Sequence, residues 1–197
     1  MDTKRLLDVT LIALSAPVFG SALAALIGAV RICDGAPVFF LQERIGKDQR
    51  RFRIFKLRTM TQEPNPQARR PTRLGDFLRR RGLDEIPQFL NVLRGDMSLV
   101  GPRPLSPDDA ERLIALHPPF AERFVMPPGI TGLAQICQVL GAERTARLDA
   151  YYARHRSLGL DLRILLHTVF INLVGKRRGA LDPRRLDPTL ADGPADE

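Results

Sequence analysis

The sequence has no tryptophan, two tyrosines, three histidines and two cysteines among 197 residues. Each shortage narrows what the chain can do. With no tryptophan and only 6% aromatics, it is poor in the stacking platforms that single-stranded nucleic-acid modules use, so nucleic acid is not an expected partner. Cys33 and Cys137 form no C-x-x-C pair and no Cys/His cluster, which excludes a zinc-finger-type site and fits free thiols in a reducing, cytosol-facing compartment. His117 precedes Pro118-Pro119 at a helix end, and His155 and His167 have no ligand-type residue four positions on, so all three read as structural. Acidic charge is scarce in one place. Residues 31–81 carry 14 basic and 5 acidic side chains, whereas residues 82–197 carry 14 and 15, so the net charge of +8 comes from that one block. A local basic block points to an anionic partner such as lipid headgroups or phosphates.

What is abundant lies just ahead of the block. Val9 to Val30 is a run of 22 residues without a charge. As a helix rising about 1.5 Å per residue it is long enough for a bilayer core of about 30 Å. The run is long for a cleavable signal peptide, which leaves a spanning helix and a re-entrant one. Two features favour the second. Pro17 sits in mid-segment, where it removes a helix hydrogen bond, and Ser15 can satisfy a freed carbonyl. Basic residues flank both ends, Lys4 and Arg5 before and Arg31, Arg44 and Lys47 after, and both flanks belong on the cytoplasmic side. The expectation is a re-entrant membrane helix broken near Ser15–Pro17.

Phe52 to Leu57 intersperses apolar with basic residues and is expected to be a half-buried strand and a hairpin arm, while Val38–Leu41 reads as a short strand or a buried segment. The strand's polar face carries Arg53 and Lys56, with Arg58 just beyond. Residues 61–72 read as a loop and Arg73–Arg81 as a short helix ended by Gly82. Leu83-Asp84-Glu85 follows the Arg79-Arg80-Arg81 run. Asp84 has two readings that coexist. It is a good helix N-cap, and a carboxylate there is also placed to meet phosphate and to attack phosphorus. Glu85 is a hard oxygen donor suited to Mg²⁺, which would screen the charge of an anionic substrate. Downstream, Ser106–Leu116, Thr145–Arg156 and Leu158–Val174 read as helices. The last is apolar enough to lie in a membrane interface, with packing in a soluble core the equal alternative. The polar segment 176–197 reads as a disordered tail.

Several stretches in order resemble one family. They are Lys4-Arg5-x-x-Asp8, Gln42-x-Arg44-Ile45-Gly46, Phe55-Lys56-Leu57-Arg58-Thr59-Met60, Leu83-Asp84-Glu85-Ile86-Pro87-Gln88 and Asn91-Val92-x-Arg94-Gly95-Asp96-Met97-Ser98. Further on come Val100-Gly101-Pro102-Arg103-Pro104, Pro128-Gly129-Ile130-Thr131-Gly132-Leu133-Ala134-Gln135, Leu148-Asp149-x-Tyr151-Tyr152 and Leu160-Asp161-Leu162-Arg163-Ile164-Leu165. Together, over about Lys4–Gly175, they resemble the bacterial sugar transferases, and among them the monotopic polyprenyl-phosphate phosphoglycosyl transferases.

The resemblance implies an enzyme of the glycosyl-1-phosphate transferase type. It would move a phosphosugar from a UDP-sugar to a polyprenyl phosphate such as undecaprenyl phosphate and release UMP. This would be the first membrane step of glycan or glycoconjugate assembly. It further implies Asp84 as nucleophile, Glu85 with Asp84 as Mg²⁺ ligands, and Lys56, Arg58, Arg79 and the Pro102-Arg103-Pro104 loop as the phosphate site. The place would be the cytoplasmic face of a bacterial inner membrane, in contact with membrane lipids, with a homodimer as a candidate assembly. The fold expected is mostly α with a small β-hairpin: a membrane helix over 1–33, a catalytic domain over 34–175 with interfacial helices, and the tail over 176–197. Where relatives carry an Asn-Gly-Arg segment this chain has Ile136–Gly141, and where they have a Thr-Ser-like pair it has Arg81-Gly82. The rival class is a non-enzymatic membrane anchor or anionic-lipid-binding module in which Asp84 only caps a helix. The rival enzyme is a nucleotidyl or lipid phosphotransferase. The identity of the sugar is not encoded in any of these motifs.

Overall fold

The computed structural model describes residues 2–174, 179–187 and 190, with the backbone alone at Pro66. The chain forms two compact units. The first comprises the residues up to Gln42 together with Arg53–Leu93, and the second comprises Glu43–Phe52 and the chain from Arg94 on.

The first unit begins with α1, Thr3–Cys33, N-capped by Asp2. Among the described residues α1 is the one helix long and apolar enough to cross a membrane, and only 6% of its apolar window is buried. The expected break does not interrupt it: helix continues through Pro17. Local hydroxyls supplement the ladder, Ser15 Oγ donating to Ile12 O (3.1 Å) and Ser21 Oγ to Pro17 O (2.8 Å). Both ends of α1 pack within this unit. The Arg5 guanidinium donates to the carbonyls of Val92 and Leu93, and Phe19 meets Phe89 edge-on at 5.1 Å. Near the other end, Val30 forms a fully buried cluster with Leu57 and Leu78, flanked by Leu23, Leu26 and Ile27. Each such side chain contributes about 1.5–3 kcal/mol by leaving water.

The hairpin is β1, Phe39–Ile45, with β2, Arg51–Leu57. Its base, Phe39–Gln42 and Arg53–Leu57, belongs to the first unit and its tip to the second. In β2 strict alternation does not hold: Ile54 and Leu57, three positions apart and so on opposite faces, are both buried, and Arg53 and Lys56 likewise fall on opposite faces, the first exposed and the second half-buried. Helix α2, Gly75–Arg81, ends at Gly82, whose φ of 67° is a left-handed conformation suited to glycine. The chain then winds into a 3-10 segment, Leu83–Gln88, and continues as α3, Phe89–Arg94.

The second unit holds an element that the sequence reading did not assign. Strands β3, Ser98–Val100, and β4, Gly129–Thr131, pair in parallel with Ser98 opposite Gly129 and Val100 opposite Thr131. The backbones approach so closely that a Cβ on Gly129 would lie 2.1 Å from Gly101 N, and one on Gly132 would lie 2.1 Å from Gly101 O. These contacts account for the glycines of the Gly-Pro-Arg-Pro and Pro-Gly-Ile-Thr-Gly stretches.

Around this pair lie α4 (Pro107–Leu116), α5 (Leu133–Cys137), α6 (Ala142–His155) and α7 (Leu158–Val174). Tyr152 of α6 joins three of the parts, its hydroxyl donating to Asp161 Oδ1 of α7 (2.6 Å) and to Val100 O of β3 (3.2 Å). Helix α7 buries Asp161, Ile164 and Ile171 on one side and exposes Leu162, Leu166, Val169 and Leu173 on the other. Of the expected tail, residues 176–178, 188–189 and 191–197 lie outside the described residues. The described part, Gly179–Asp187, makes contacts: Leu181 N donates to Ile136 O (2.9 Å), Gly179 O bonds to His167 Nε2 (2.7 Å), and Asp182 caps a 3-10 turn at Pro183–Arg185. Leu181 and Leu186 supply the apolar contacts that a wholly polar tail would lack.

Candidate active site

Asp84 and Glu85 lie in the first turn of the 3-10 segment after Gly82. Gly82 occupies the N-cap position and no side chain caps this turn, so Asp84 is not the cap that its helix-start position suggests. A left-handed glycine reverses the chain immediately after α2 and carries Asp84 inward, where it is buried at 8% exposure. Burial pushes the Asp84 carboxyl above the ordinary carboxylate range, and the negative charge of Glu85 adds to this. The positive charge of Lys56, the Asp84 backbone N–H and the positive charge of Arg79 oppose it.

Lys56 reaches this turn from β2. Its Nζ lies 2.7 Å from Glu85 Oε1, both side chains being mostly buried. Position 56 is half-buried near the end of β2, and the strand is held by Asn91 of α3. That side chain, fully buried, accepts from Phe55 N (3.1 Å) and donates to Arg53 O (2.7 Å). Arg5 in turn holds the end of α3 through two carbonyls. Neither Asn91 nor Arg5 stood out as functional in the sequence. The signal available was their place inside motifs.

The remaining basic residues are placed differently from one another. Arg79, in the last turn of α2, is exposed and its Nη1 lies 3.0 Å from Met60 Sδ. Arg58 is buried, and its Nη2 is committed to the carbonyls of Asp34 and Gly35 just past α1. That arrangement spends it on the exit from α1 and leaves it a poor phosphate ligand. Ser15 and Pro17 lie within α1 as described.

Pro102, Arg103 and Pro104 belong to the second unit. Their loop is held by donors to successive carbonyls: Gly129 N to Pro102 O (2.8 Å), Arg44 Nη1 to Pro104 O (3.4 Å) and Ile45 N to Leu105 O (2.9 Å). Arg44 and Ile45 come from the Gln-x-Arg-Ile-Gly stretch, whose role is thereby structural support of the loop. Arg103 is itself exposed. Proline on either side restricts φ, so little entropy is lost when its side chain is fixed on a ligand.

The first unit therefore gathers Asp84, Glu85, Lys56 and Arg79, and the second presents Arg103 on a rigid loop. Two adjacent carboxylates whose charges oppose each other, one buried and one partly open, form a hard-oxygen donor set of the kind that binds Mg²⁺ together with substrate phosphates and water. The donor chemistry fits.

The sequence matches the profile of the bacterial sugar transferase family over residues 1–175. It is 41% identical over 181 residues to the UDP-glucose:undecaprenyl-phosphate glucose-1-phosphate transferase of Caulobacter vibrioides, covering 84% of this chain and 68% of that protein. It is 40% identical to the sugar transferase EpsL of Bacillus subtilis, with 86% of each chain covered. It is 35% identical to the UDP-N-acetylgalactosamine-undecaprenyl-phosphate N-acetylgalactosaminephosphotransferase of Aeromonas hydrophila, spanning 44% of that longer protein.

Proposed function

The chain belongs to the bacterial sugar transferase family, and from that premise we propose that it transfers a phosphosugar from a UDP-sugar to a polyprenyl phosphate through a covalent intermediate on Asp84. The observation that carries the reading is the buried Asp84 carboxyl beside Glu85 and its Lys56 partner. The names of the Caulobacter and Aeromonas relatives support the substrate classes.

In the first step an Asp84 carboxylate oxygen attacks the sugar-proximal phosphorus of the UDP-sugar. The bond from that phosphorus to the bridging oxygen breaks, and UMP leaves with that oxygen. In the second step a phosphate oxygen of the polyprenyl phosphate attacks the same phosphorus, the aspartyl–phosphorus bond breaks, and a polyprenyl-diphosphate sugar is released with Asp84 restored. Raised basicity makes Asp84 a better nucleophile, and the Lys56 and Arg79 charges favour its ionised form. Lys56 orients Glu85, and Arg79 and Arg103 bind phosphate oxygens. Asp84 and Glu85 would hold Mg²⁺, which supplies charge neutralisation for the phosphates when bound.

The membrane reading is monotopic, with the catalytic residues on the cytoplasmic face. A straight helix would put Arg5 and Val30 about 38 Å apart along its axis, more than the bilayer core of about 30 Å. Yet both residues pack within one unit. Contacts of both ends with one unit, with Pro17 between them, support a helix that enters and returns. The exposed apolar side of α7 lies in the interface.

The test is UMP release from a panel of UDP-sugars with undecaprenyl phosphate and Mg²⁺, together with intact-protein mass spectrometry in the absence of acceptor. The expected result is a phosphosugar adduct in the wild type and neither adduct nor turnover in Asp84→Asn. Turnover surviving in Asp84→Asn overturns the covalent route.

A further inference from the structure

We infer that the buried pair Arg123–Asp149 is a positioning device for the phosphate-binding loop, fixing the main chain at Arg103 so that the Arg103 guanidinium is presented outward. The inference rests on the reading of Arg103 as a phosphate ligand given above.

Arg123 lies in the 3-10 segment Pro118–Val125 and Asp149 in α6. Their side chains are 3% and 4% exposed, with Nη2 and Oδ2 3.3 Å apart. The same Nη2 donates to the Arg103 carbonyl oxygen at 2.6 Å. The guanidinium also sits 4.5 Å above the Phe120 ring, which fixes its plane. One buried cation thus grips the main chain of the residue whose own cation is exposed. With Gly129 N on the carbonyl before and Arg44 on the carbonyl after, all three carbonyls of Pro102-Arg103-Pro104 are held.

Stability is a poor explanation for the pair. Removing two charges from water costs several kcal/mol per ion, and a buried pair is often matched or bettered by apolar residues. This pair is also incompletely satisfied, since Arg123 Nη1 and Asp149 Oδ2 lack hydrogen-bond partners among the described residues. What the pair does supply is charge placed behind a binding loop. Burial weakens the hold of Arg123 on its proton, Asp149 strengthens it, and the nearby Arg103 cation weakens it. Asp149 is therefore the countercharge that lets a second guanidinium stand close to the first. An arriving phosphate then meets a loop backed by positive charge and already fixed, with little reorganisation left to do.

The experiment uses the full chain in detergent or nanodiscs and a double-mutant cycle on kcat/KM for the UDP-sugar. Arg123→Gln and Asp149→Asn are each expected to lower it by up to about 100-fold, the scale of a small misplacement of a binding group. Added to Arg103→Ala, either is expected to change activity by less than about twofold, because it acts through Arg103. Multiplicative losses on the Arg103→Ala background overturn the positioning role and leave Arg103 as a phosphate ligand. Wild-type activity in Arg103→Ala overturns the phosphate-binding reading itself. Collapse of the thermal transition in both Arg123→Gln and Asp149→Asn assigns the pair to stability and overturns the inference. Wild-type activity in both does the same.

Discussion

Lys56 Nζ stands 2.7 Å from Glu85 Oε1, and the same lysine charge lowers the pKa of Asp84, the residue before Glu85. One cation thus serves two carboxylates, bonding one and tuning the other. Replacing it by glutamine removes both effects. Asp84, already raised by burial and by Glu85, rises further, so a larger share is protonated and unreactive at a given pH. The acid limb of the kcat/KM profile is expected to move to higher pH in Lys56→Gln, with a loss of about 10²-fold or more at neutral pH from the missing electrostatic support. A profile with an unmoved acid limb shows that Lys56 does not act on the nucleophile.

Asp84→Asn separates chemistry from stability. The folded-state pKa of Asp84 lies above its unfolded value, so the folded chain holds a proton that the unfolded chain gives up. Stability contributed by that group is full below the unfolded pKa and lost as pH rises through the folded one. At neutral pH the buried carboxylate is therefore a liability. The asparagine variant should melt at the same temperature as the wild type or higher, with the difference closing as the pH falls toward the ordinary carboxylate value. A clear drop in Tm at neutral pH would show that Asp84 is held by partners that outweigh its burial.

Asn91 tests whether the hairpin must be held for Lys56 to work. It is fully buried and serves Phe55 N and Arg53 O, which flank Ile54 on one edge of the strand. Asn91→Leu keeps the volume and strands both main-chain groups, at about 1–3 kcal/mol each. Denaturant unfolding should register that loss. Activity should fall in folded protein as well, since Lys56 is the next residue of β2 after Phe55. Asn91→Asp keeps the acceptor for Phe55 N, loses the donor to Arg53 O, and should fall between the two.

What could be read from the sequence follows from how far each signal reaches along the chain. Apolar residues interspersed with basic ones over Phe52–Leu57 marked β2, a charge-free run marked α1, and Gly82 marked the end of α2, because each is decided by neighbours. Strands β3 and β4 are three residues long and pair across some thirty positions. Three residues are too few to show a period, and only the glycine contacts hint at the close approach. The role of Arg58 was equally hidden. A basic residue beside Lys56 reads as a phosphate ligand until the fold turns its guanidinium onto the carbonyls of Asp34 and Gly35. Asp84 reversed its local reading for a similar reason: a left-handed Gly82 took the cap position and sent the carboxylate inward.

The bent-helix reading of α1 makes the sharpest demand on topology. Cys33 ends α1 and is exposed, so the native chain already carries a reporter there. Cys137 is buried, and burial pushes its thiol up to about 12, which keeps it silent to a thiolate-seeking reagent. Thr3→Cys places a second reporter at the other end of the same helix. If Arg5 and Val30 both pack within the catalytic unit, as their contacts with Val92, Leu93, Leu57 and Leu78 require, both thiols lie on the cytoplasmic face. A membrane-impermeant maleimide should then leave both unlabelled in intact cells and label both in inverted vesicles. Labelling at position 3 from outside, with Cys33 protected, would mean a helix that crosses. The Arg5 hydrogen bonds to α3 could not then exist in the membrane-embedded protein.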